Sequence, residues 1–146
     1  MKKALLIIEV QKSAAGDSDL PEKIEKLQDG YEYVFVSKFV GKDSALVRLT
    51  EFEGYEDERL CFVPAPHAVV FEKGGYSSYL PRMDGFDEVH LCGFDTDACV
   101  YKTAMDLMEH GVRPVVLSAY CASKNETYHR AGMLLIERNI GRGNIL

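Results

Sequence analysis

The chain has 146 residues, of which 47% are hydrophobic and 27% are charged. Length and composition predict a globular protein with a real core and a single domain that covers residues 1–146. The formal net charge is −6 and the sequence contains no basic run, so we expect neither a nucleic-acid partner nor a membrane partner.

Segments with strand and helix patterns alternate along the chain. In chain order, the sequence predicts a strand over 3–10, a helix over 18–28, a strand over 31–39, a short helix over 45–50, a loop over 54–66, strands over 68–71 and 88–93, a helix over 97–110, a strand over 113–119, a helix over 125–139 and a short edge strand over 144–146. The first strand is a continuous apolar run, which is typical of a strand buried on both faces. This alternation predicts the α/β class, as a three-layer αβα domain around a doubly wound parallel sheet of five to six strands.

The four cysteines indicate neither a disulfide framework nor a zinc site. They form no C-x-x-C pair, and no histidine stands at ligand spacing from any of them. Cys61, Cys92 and Cys121 have apolar neighbours and are predicted to be small buried hydrophobes. Because no apolar run approaches the ~18 residues of a membrane span either, we predict a cytoplasmic protein.

Three side chains of different chemistry follow strands of the predicted sheet. Glu9 and Gln11 stand at the end of the first strand, Lys73 follows the third, and Cys99 lies just beyond the fourth. Open parallel sheets bind ligands beyond the carboxyl ends of their strands, so we expect a carboxylate, an ammonium and a thiol to meet at one edge. A buried, unpaired carboxylate costs several kcal/mol, and a functional role would explain why Glu9 ends an apolar strand.

Cys99 is the strongest single candidate. With Thr96 as the N-cap, Cys99 would occupy the N3 position of the following helix. The free N–H groups and the helix dipole at that position favour a thiolate, which predicts a lowered thiol pKa. The same N–H groups could bind an oxyanion. The four histidines show neither triad nor metal spacing.

Three motifs resemble those of a known family, in the family's order. Residues 4–11 (ALLIIEVQ) look like a first strand that normally ends in Asp-x-Gln, residues 71–79 (FEKGGYSSY) resemble a lysine motif, and residues 89–100 (VHLCGFDTDACV) resemble a nucleophile motif. Residues 122–123 and 129–130 are similar to the entry of the family's last helix. The chain resembles the isochorismatase-like cysteine hydrolases, which include nicotinamidases and related amidases.

This resemblance implies a set of roles. Cys99 would be the nucleophile, Glu9 the acid/base carboxylate in place of the family's aspartate, and Lys73 the third catalytic residue. A cis peptide would join Phe94 to Asp95, and the backbone N–H groups of Asp95 and Cys99 would form the oxyanion hole. The side chains predicted for the substrate pocket are Gln11, Phe39, Tyr76 and Tyr79.

The resemblance brings no metal site to this chain. Nicotinamidases hold their metal with an Asp-x-His motif after the second strand, where residues 37–43 (SKFVGKD) contain no histidine. We therefore predict no metal and no other cofactor. Family members commonly form oligomers, which predicts a homodimer or a higher homo-oligomer.

Three functional hypotheses remain at this point. The first is a metal-independent cysteine hydrolase that cleaves the C–N bond of a small amide through a thioester intermediate. The second is a non-catalytic binding or regulatory protein whose site is altered by Glu9. The third is a thiol redox protein that pairs Cys99 with Cys92 or Cys121. Rapid alkylation of Cys99 would argue against the second, and turnover of small amides would argue against the third.

Overall fold

The computed structural model describes residues 1–146 and contains one five-stranded parallel sheet. The strands, given in the order β3-β2-β1-β4-β5 that they take in the sheet, are β3 (Val69–Lys73), β2 (Val34–Phe39), β1 (Lys3–Ile8), β4 (Glu88–Phe94) and β5 (Arg113–Ala122). The helices are α1 (Lys12–Ala15), α2 (Leu20–Leu27), α3 (Ala45–Leu49), α4 (Tyr101–Glu109) and α5 (Glu126–Ile140). The predicted α/β class with a parallel sheet is confirmed. No helix is long and apolar enough to cross a membrane.

The central strand β1 divides its side chains between two apolar cores. Leu6 and Ile8 pack in the core that α4 and α5 cover, whereas Leu5 and Ile7 pack in the core that α2 covers on the other face. All four are fully buried. Burial on both faces explains why this strand is apolar throughout instead of alternating with polar residues.

The strand order places a switch point between β1 and β4. From β1 the chain winds outwards through β2 and β3, and after returning it winds in the other direction through β4 and β5. Gly93 lets β4 approach β1 closely, because it has a φ of +116° and a Cβ there would lie 2.1 Å from the Ile8 carbonyl oxygen. Open α/β sheets bind ligands at such a switch point, beyond the carboxyl ends of the strands.

Several element boundaries differ from the sequence prediction, and α1 was not predicted. Lys73 is the last residue of β3, in register with Phe39, and not part of the loop that follows. β5 continues to Ala122 instead of ending at 119, after a register shift against β4. The predicted edge strand over 144–146 is reduced to a single parallel bridge between Ile145 and Val116, so the sheet has five strands.

Candidate active site

The structure brings Glu9, Lys73 and Cys99 into direct contact. Cys99 Sγ donates a hydrogen bond to Glu9 Oε1 at 3.0 Å, and Lys73 Nζ forms an ion pair with the same oxygen. The side chains of Glu9 and Lys73 are 4% and 7% exposed. Three residues that are 26 or more positions apart in sequence therefore share one buried polar cluster at the switch point.

The Lys73 ammonium donates hydrogen bonds to three acceptors of the protein. Besides Glu9, it donates to the carbonyl oxygens of Gly75 and Tyr76, both at 2.8 Å. An ammonium has three hydrogens, so these contacts use all of them. Lys73 therefore has no donor left for a substrate.

A buried chain of hydroxyl groups holds the loop that receives Lys73. Ser78 Oγ lies 2.7 Å from Ser37 Oγ on β2, and the Ser78 N–H donates to Thr103 Oγ1 on α4 at 2.9 Å. All three residues are fully buried. Since each hydroxyl has a partner, this network fixes the position of the carbonyl groups that bind Lys73.

Glu9 adopts a backbone conformation that is unusual for its residue type. Its φ is +50°, and it is the one non-glycine residue of the chain with a positive φ. This left-handed region costs an L-residue roughly 1–2 kcal/mol. The conformation turns the chain sharply at the end of β1, where the Gln11 N–H donates to the Glu9 carbonyl at 2.8 Å. Strain of this kind is characteristic of functional sites.

Cys99 lies in a π-helical turn, Thr96–Val100, that leads into α4. The turn begins after Asp95, so the predicted N-cap at Thr96 was wrong by one residue. The Thr96 hydroxyl lies 2.7 Å from Nδ1 of His129 on α5. Gly132 allows α5 to pack this closely, since a Cβ there would lie 2.7 Å from the Asp97 nitrogen.

The peptide bond between Phe94 and Asp95 is cis. The Asp95 carbonyl accepts from the N–H groups of Ala98 and Val100, both at 3.1 Å. The Asp95 N–H itself has no acceptor within the protein. A free N–H at the edge of the cavity is available to a ligand oxygen.

The predicted lowering of the Cys99 thiol pKa was wrong. Burial and the adjacent Glu9 carboxylate raise the pKa of Cys99 well above its usual value, and the Lys73 ammonium opposes them only in part. In the free protein, the thiol therefore keeps its proton and donates it in the hydrogen bond to Glu9. The carboxylate is in position to take that proton when the sulfur attacks.

A cavity of about 240 Å³ opens directly onto Cys99. This volume is below the ~300–1,000 Å³ of pockets for drug-sized ligands, and so it suits a small molecule. Seven of the nine lining residues are hydrophobic. The lining residues are Glu9, Phe39, Leu46, Phe52, Tyr55, Tyr76, Asp95, Ala98 and Cys99.

Phe39 and Tyr76 line this cavity, but the other two side chains predicted for the pocket lie elsewhere. The Gln11 side-chain amide is fully buried; it accepts from the Phe39 N–H at 2.8 Å and donates to the Phe39 carbonyl at 2.9 Å. Tyr79 donates to Asp84 at 2.8 Å and stacks on His110. Gln11 therefore positions the pocket wall, and Tyr79 belongs to the adjacent surface.

Tyr55 is a site residue that the sequence analysis missed. Its hydroxyl donates to Glu9 Oε2 at 2.5 Å, so both carboxylate oxygens have a donor. Burial and the charge of Glu9 raise the pKa of Tyr55, which keeps the hydroxyl protonated. Tyr55 lies in a segment that was predicted only as loop. The sequence feature that could have indicated a site residue here is the close spacing of two aromatic side chains, Phe52 and Tyr55.

The residues at this site do not fit a metal ion. No group of three or more His, Cys, Asp or Glu side chains is arranged to hold one anywhere in residues 1–146. After β2 the chain continues as Val40-Gly41-Lys42-Asp43, where one carboxylate is the single ligand type present.

Comparison with protein families and curated proteins gives two matches. A family model described as the isochorismatase domain matches residues 3–142. The maleamate amidohydrolase of Pseudomonas putida is 30% identical over 98 residues, which make up 61% of this chain and 46% of that protein. The matched region thus spans about half the length of this curated relative.

Solved structures share the fold over nearly the whole chain. A nicotinamidase from Bacillus subtilis has a TM-score of 0.78 at 22% identity, with 99% of both chains covered. An isochorismatase-like hydrolase from Alkaliphilus metalliredigens has a TM-score of 0.82 at 20% identity, with 99% of this chain and 94% of that chain covered. An N-carbamoylsarcosine amidase from Thermoplasma acidophilum has a TM-score of 0.70 at 21% identity, covering 97% and 94%.

Proposed function

The chain belongs to the isochorismatase family, and from that premise we propose that it is a metal-independent cysteine hydrolase that cleaves the C–N bond of a small amide. The observation that carries this proposal is the Glu9 carboxylate. It contacts the Cys99 thiol, the Lys73 ammonium and the Tyr55 hydroxyl at once, at the wall of the cavity. The amidases named above are consistent with C–N bond cleavage.

In the first half-reaction, Glu9 removes the proton of Cys99 as Sγ attacks the amide carbonyl carbon. The backbone N–H groups of Asp95 and Cys99 receive the negative charge that develops on the carbonyl oxygen. The protonated Glu9 then gives its proton to the leaving nitrogen. The C–N bond breaks, the amine departs and the acyl group remains on Cys99 as a thioester.

In the second half-reaction, water replaces the amine. Glu9 takes a proton from the water as its oxygen attacks the thioester carbonyl, and the same N–H groups bind the oxyanion again. The C–S bond breaks, the carboxylic acid leaves, and the proton on Glu9 returns to the sulfur. Throughout both steps, Lys73 keeps the carboxylate in place and offsets its charge.

The two alternative hypotheses have less support. A redox role needs a second thiol, but Cys99 is the only cysteine at the cavity, and Cys92 and Cys121 are buried with raised thiol pKa values. A purely binding protein would have no need for a strained, buried carboxylate against a thiol. Glu9 stands where the family has aspartate, and its longer side chain contacts Cys99, Lys73 and Tyr55 at the same time.

A panel of small amides with release of ammonia or amine as the readout tests this proposal. Wild-type protein should turn over at least one member, and quenching during turnover should give a mass increase equal to the acyl group on the peptide that contains Cys99. Cys99→Ala should abolish both signals, whereas Cys61→Ala, which changes a half-buried cysteine outside the cavity, should retain both. Turnover that survives in Cys99→Ala would overturn the proposal.

Metal independence is a separate part of the proposal. Activity should be the same before and after treatment with a chelator, and elemental analysis should find no stoichiometric metal, because no ligand set exists to hold one. A stoichiometric metal that is lost together with activity would contradict this part alone. The homodimer or higher oligomer and the cytoplasmic location stay predictions.

A further inference from the structure

Asp95 is the one carboxyl group at the cavity that has no partner in the protein. Glu9 accepts from Tyr55, Lys73 and Cys99, and the neighbouring Asp97 accepts from Ser123 at 2.8 Å. Asp95 lines the same cavity, yet its carboxyl oxygens take part in no hydrogen bond and no ion pair with the protein. Asp95 is half-buried, and a carboxyl group that the protein itself does not pair is open to a ligand that enters the cavity.

The charges around Asp95 leave its ionised form only partly compensated. Burial, Asp97 and Glu9 raise the pKa of Asp95 to about 7, and Lys124 opposes them only in part. The carboxyl group also lies within electrostatic reach of Cys99 and Tyr55. A positive charge placed in the cavity would stabilise the ionised carboxylate, which no group of the protein does sufficiently.

Aromatic rings form much of the remaining lining, which we call the aromatic wall. Phe39, Phe52 and Tyr55 contact one another edge to face, with centroid distances of 5.5, 5.3 and 5.7 Å. Tyr76, which is 45% exposed, adds a fourth ring to the lining. Several rings beside a carboxylate are the arrangement by which proteins recognise ammonium groups, since the face of an aromatic ring attracts a cation.

The lining contains no positive charge that could receive an anionic substrate. None of the nine lining residues is basic. The nearest ammonium, that of Lys73, uses its three hydrogens on Glu9 and on two carbonyl groups. A substrate with its own carboxylate would meet two carboxyl groups of the protein and no counter-charge.

We propose that the cavity selects amides that carry a positively charged group next to the amide, and that Asp95 is the residue that determines this specificity. The reaction itself rests on the proposed hydrolase function. The charged end of the substrate lies between Asp95 and the aromatic wall, while its carbonyl carbon faces Cys99. The backbone N–H of Asp95 binds the oxyanion, and its carboxylate binds the positively charged group of the substrate.

Three amides of similar size separate charge from shape. Betaine amide carries a trimethylammonium group, 3,3-dimethylbutanamide is its uncharged carbon analogue, and malonamate carries a carboxylate. We expect kcat/KM for betaine amide to exceed that of the uncharged analogue by at least ~10-fold, with malonamate the slowest. In Asp95→Asn the ratio of cationic to neutral substrate should fall to about one, whereas the exposed Asp43→Asn should keep the wild-type ratio. A ratio that is unchanged in Asp95→Asn would overturn the role of Asp95.

A binding measurement separates this inference from the proposed reaction. Calorimetric titration of Cys99→Ala with the same three amides reports selectivity without turnover. Cation-selective binding without hydrolysis by the wild type would support the specificity and count against the hydrolase. Hydrolysis without preference for the cation, or a preference for the neutral or anionic amide, would overturn the specificity and leave the hydrolase intact. Absence of both binding and turnover of betaine amide would also overturn the specificity.

Discussion

The two sides of the cavity differ in how completely their polar groups are paired. On the reactive side, formed by Glu9, Lys73 and Cys99, every donor and both carboxylate oxygens have a partner. On the recognition side, formed by Asp95 with the rings of Phe39, Phe52 and Tyr55, the carboxyl group has none. Under the proposed reaction, this difference means that the reacting atoms are organised in advance and that a ligand completes the other side.

The largest effect is expected when the reactive side loses its cation. Lys73→Met leaves the buried Glu9 carboxylate without a counter-charge, which should lower the free energy of unfolding by about 3–5 kcal/mol and abolish turnover. Urea unfolding and amide turnover measure the two effects. Lys102→Met removes an exposed i,i+4 pair with Asp106 and should change stability by less than about 0.5 kcal/mol.

If Lys73→Met is too unstable to purify, the double variant Lys73→Met with Glu9→Gln removes both charges together. This variant should recover much of the lost stability while remaining inactive, because no unpaired buried charge is left. A Lys73→Met protein as stable and as active as Lys102→Met would refute the pairing on which the reactive side depends.

A smaller effect on stability is expected when the recognition side loses its carboxyl group, and here the change is an increase in stability instead of a decrease. Folding raises the pKa of Asp95 from its ordinary value of 3.8 to about 7, so the native state holds this proton more tightly than the unfolded state. Stability therefore falls as the pH rises from about 4 to about 7, by at most about 4 kcal/mol at ~1.4 kcal/mol per pH unit. Asp95→Asn removes this loss.

Urea unfolding at pH 4 and at pH 8 measures the effect of Asp95. Asp95→Asn should be clearly more stable than the wild type at pH 8 and close to it at pH 4, while Asp43→Asn should follow the wild type at both values. Equal stability of Asp95→Asn and the wild type at pH 8 would mean that the side chain is already compensated within the protein.

The smallest effect is expected at Tyr55, where the two sides meet. Tyr55→Phe keeps the ring in the aromatic wall but removes the donor to Glu9 Oε2. Because the carboxylate keeps its other two donors, we expect turnover to fall only about 10-fold, with the preference among substrates retained. Tyr128→Phe, at an exposed tyrosine on α5, is the matched control, and no difference between these variants would show that the hydroxyl has no role.

The same contrast explains what the sequence could predict. Glu9, Lys73 and Cys99 stand at or just beyond the carboxyl ends of strands of a parallel sheet, so local patterns and the rule for strand ends were sufficient to bring them together. Tyr55 and Phe52 lie in an irregular segment whose path depends on long-range contacts, such as the bond from the Gln11 amide to the Glu58 carbonyl at 2.7 Å. No local pattern encodes such a path.

The error in the Cys99 pKa has a similar origin. Position in a helix is local and predicted a thiolate, but burial and the neighbouring Glu9 dominate once the chain folds. The π-helical turn also places Cys99 one position farther along than a regular cap at Thr96 would. Tertiary contacts, which the sequence pattern does not report, determined both outcomes.

The central claim is that Glu9 exchanges the proton of Cys99, and Glu9→Gln tests it most directly. Amide turnover and the rate of Cys99 alkylation by iodoacetamide are measured from pH 5 to 9 in the wild type, Glu9→Gln and Glu9→Asp, after unfolding curves establish that each variant is folded. Glutamine cannot accept the proton, so turnover should fall roughly 10²–10⁴-fold, with Glu9→Asp in between. Loss of the carboxylate also removes a charge that raises the pKa of Cys99, so the alkylation profile of Glu9→Gln should move to lower pH. A Glu9→Gln protein that matches the wild type in both turnover and alkylation would contradict the account.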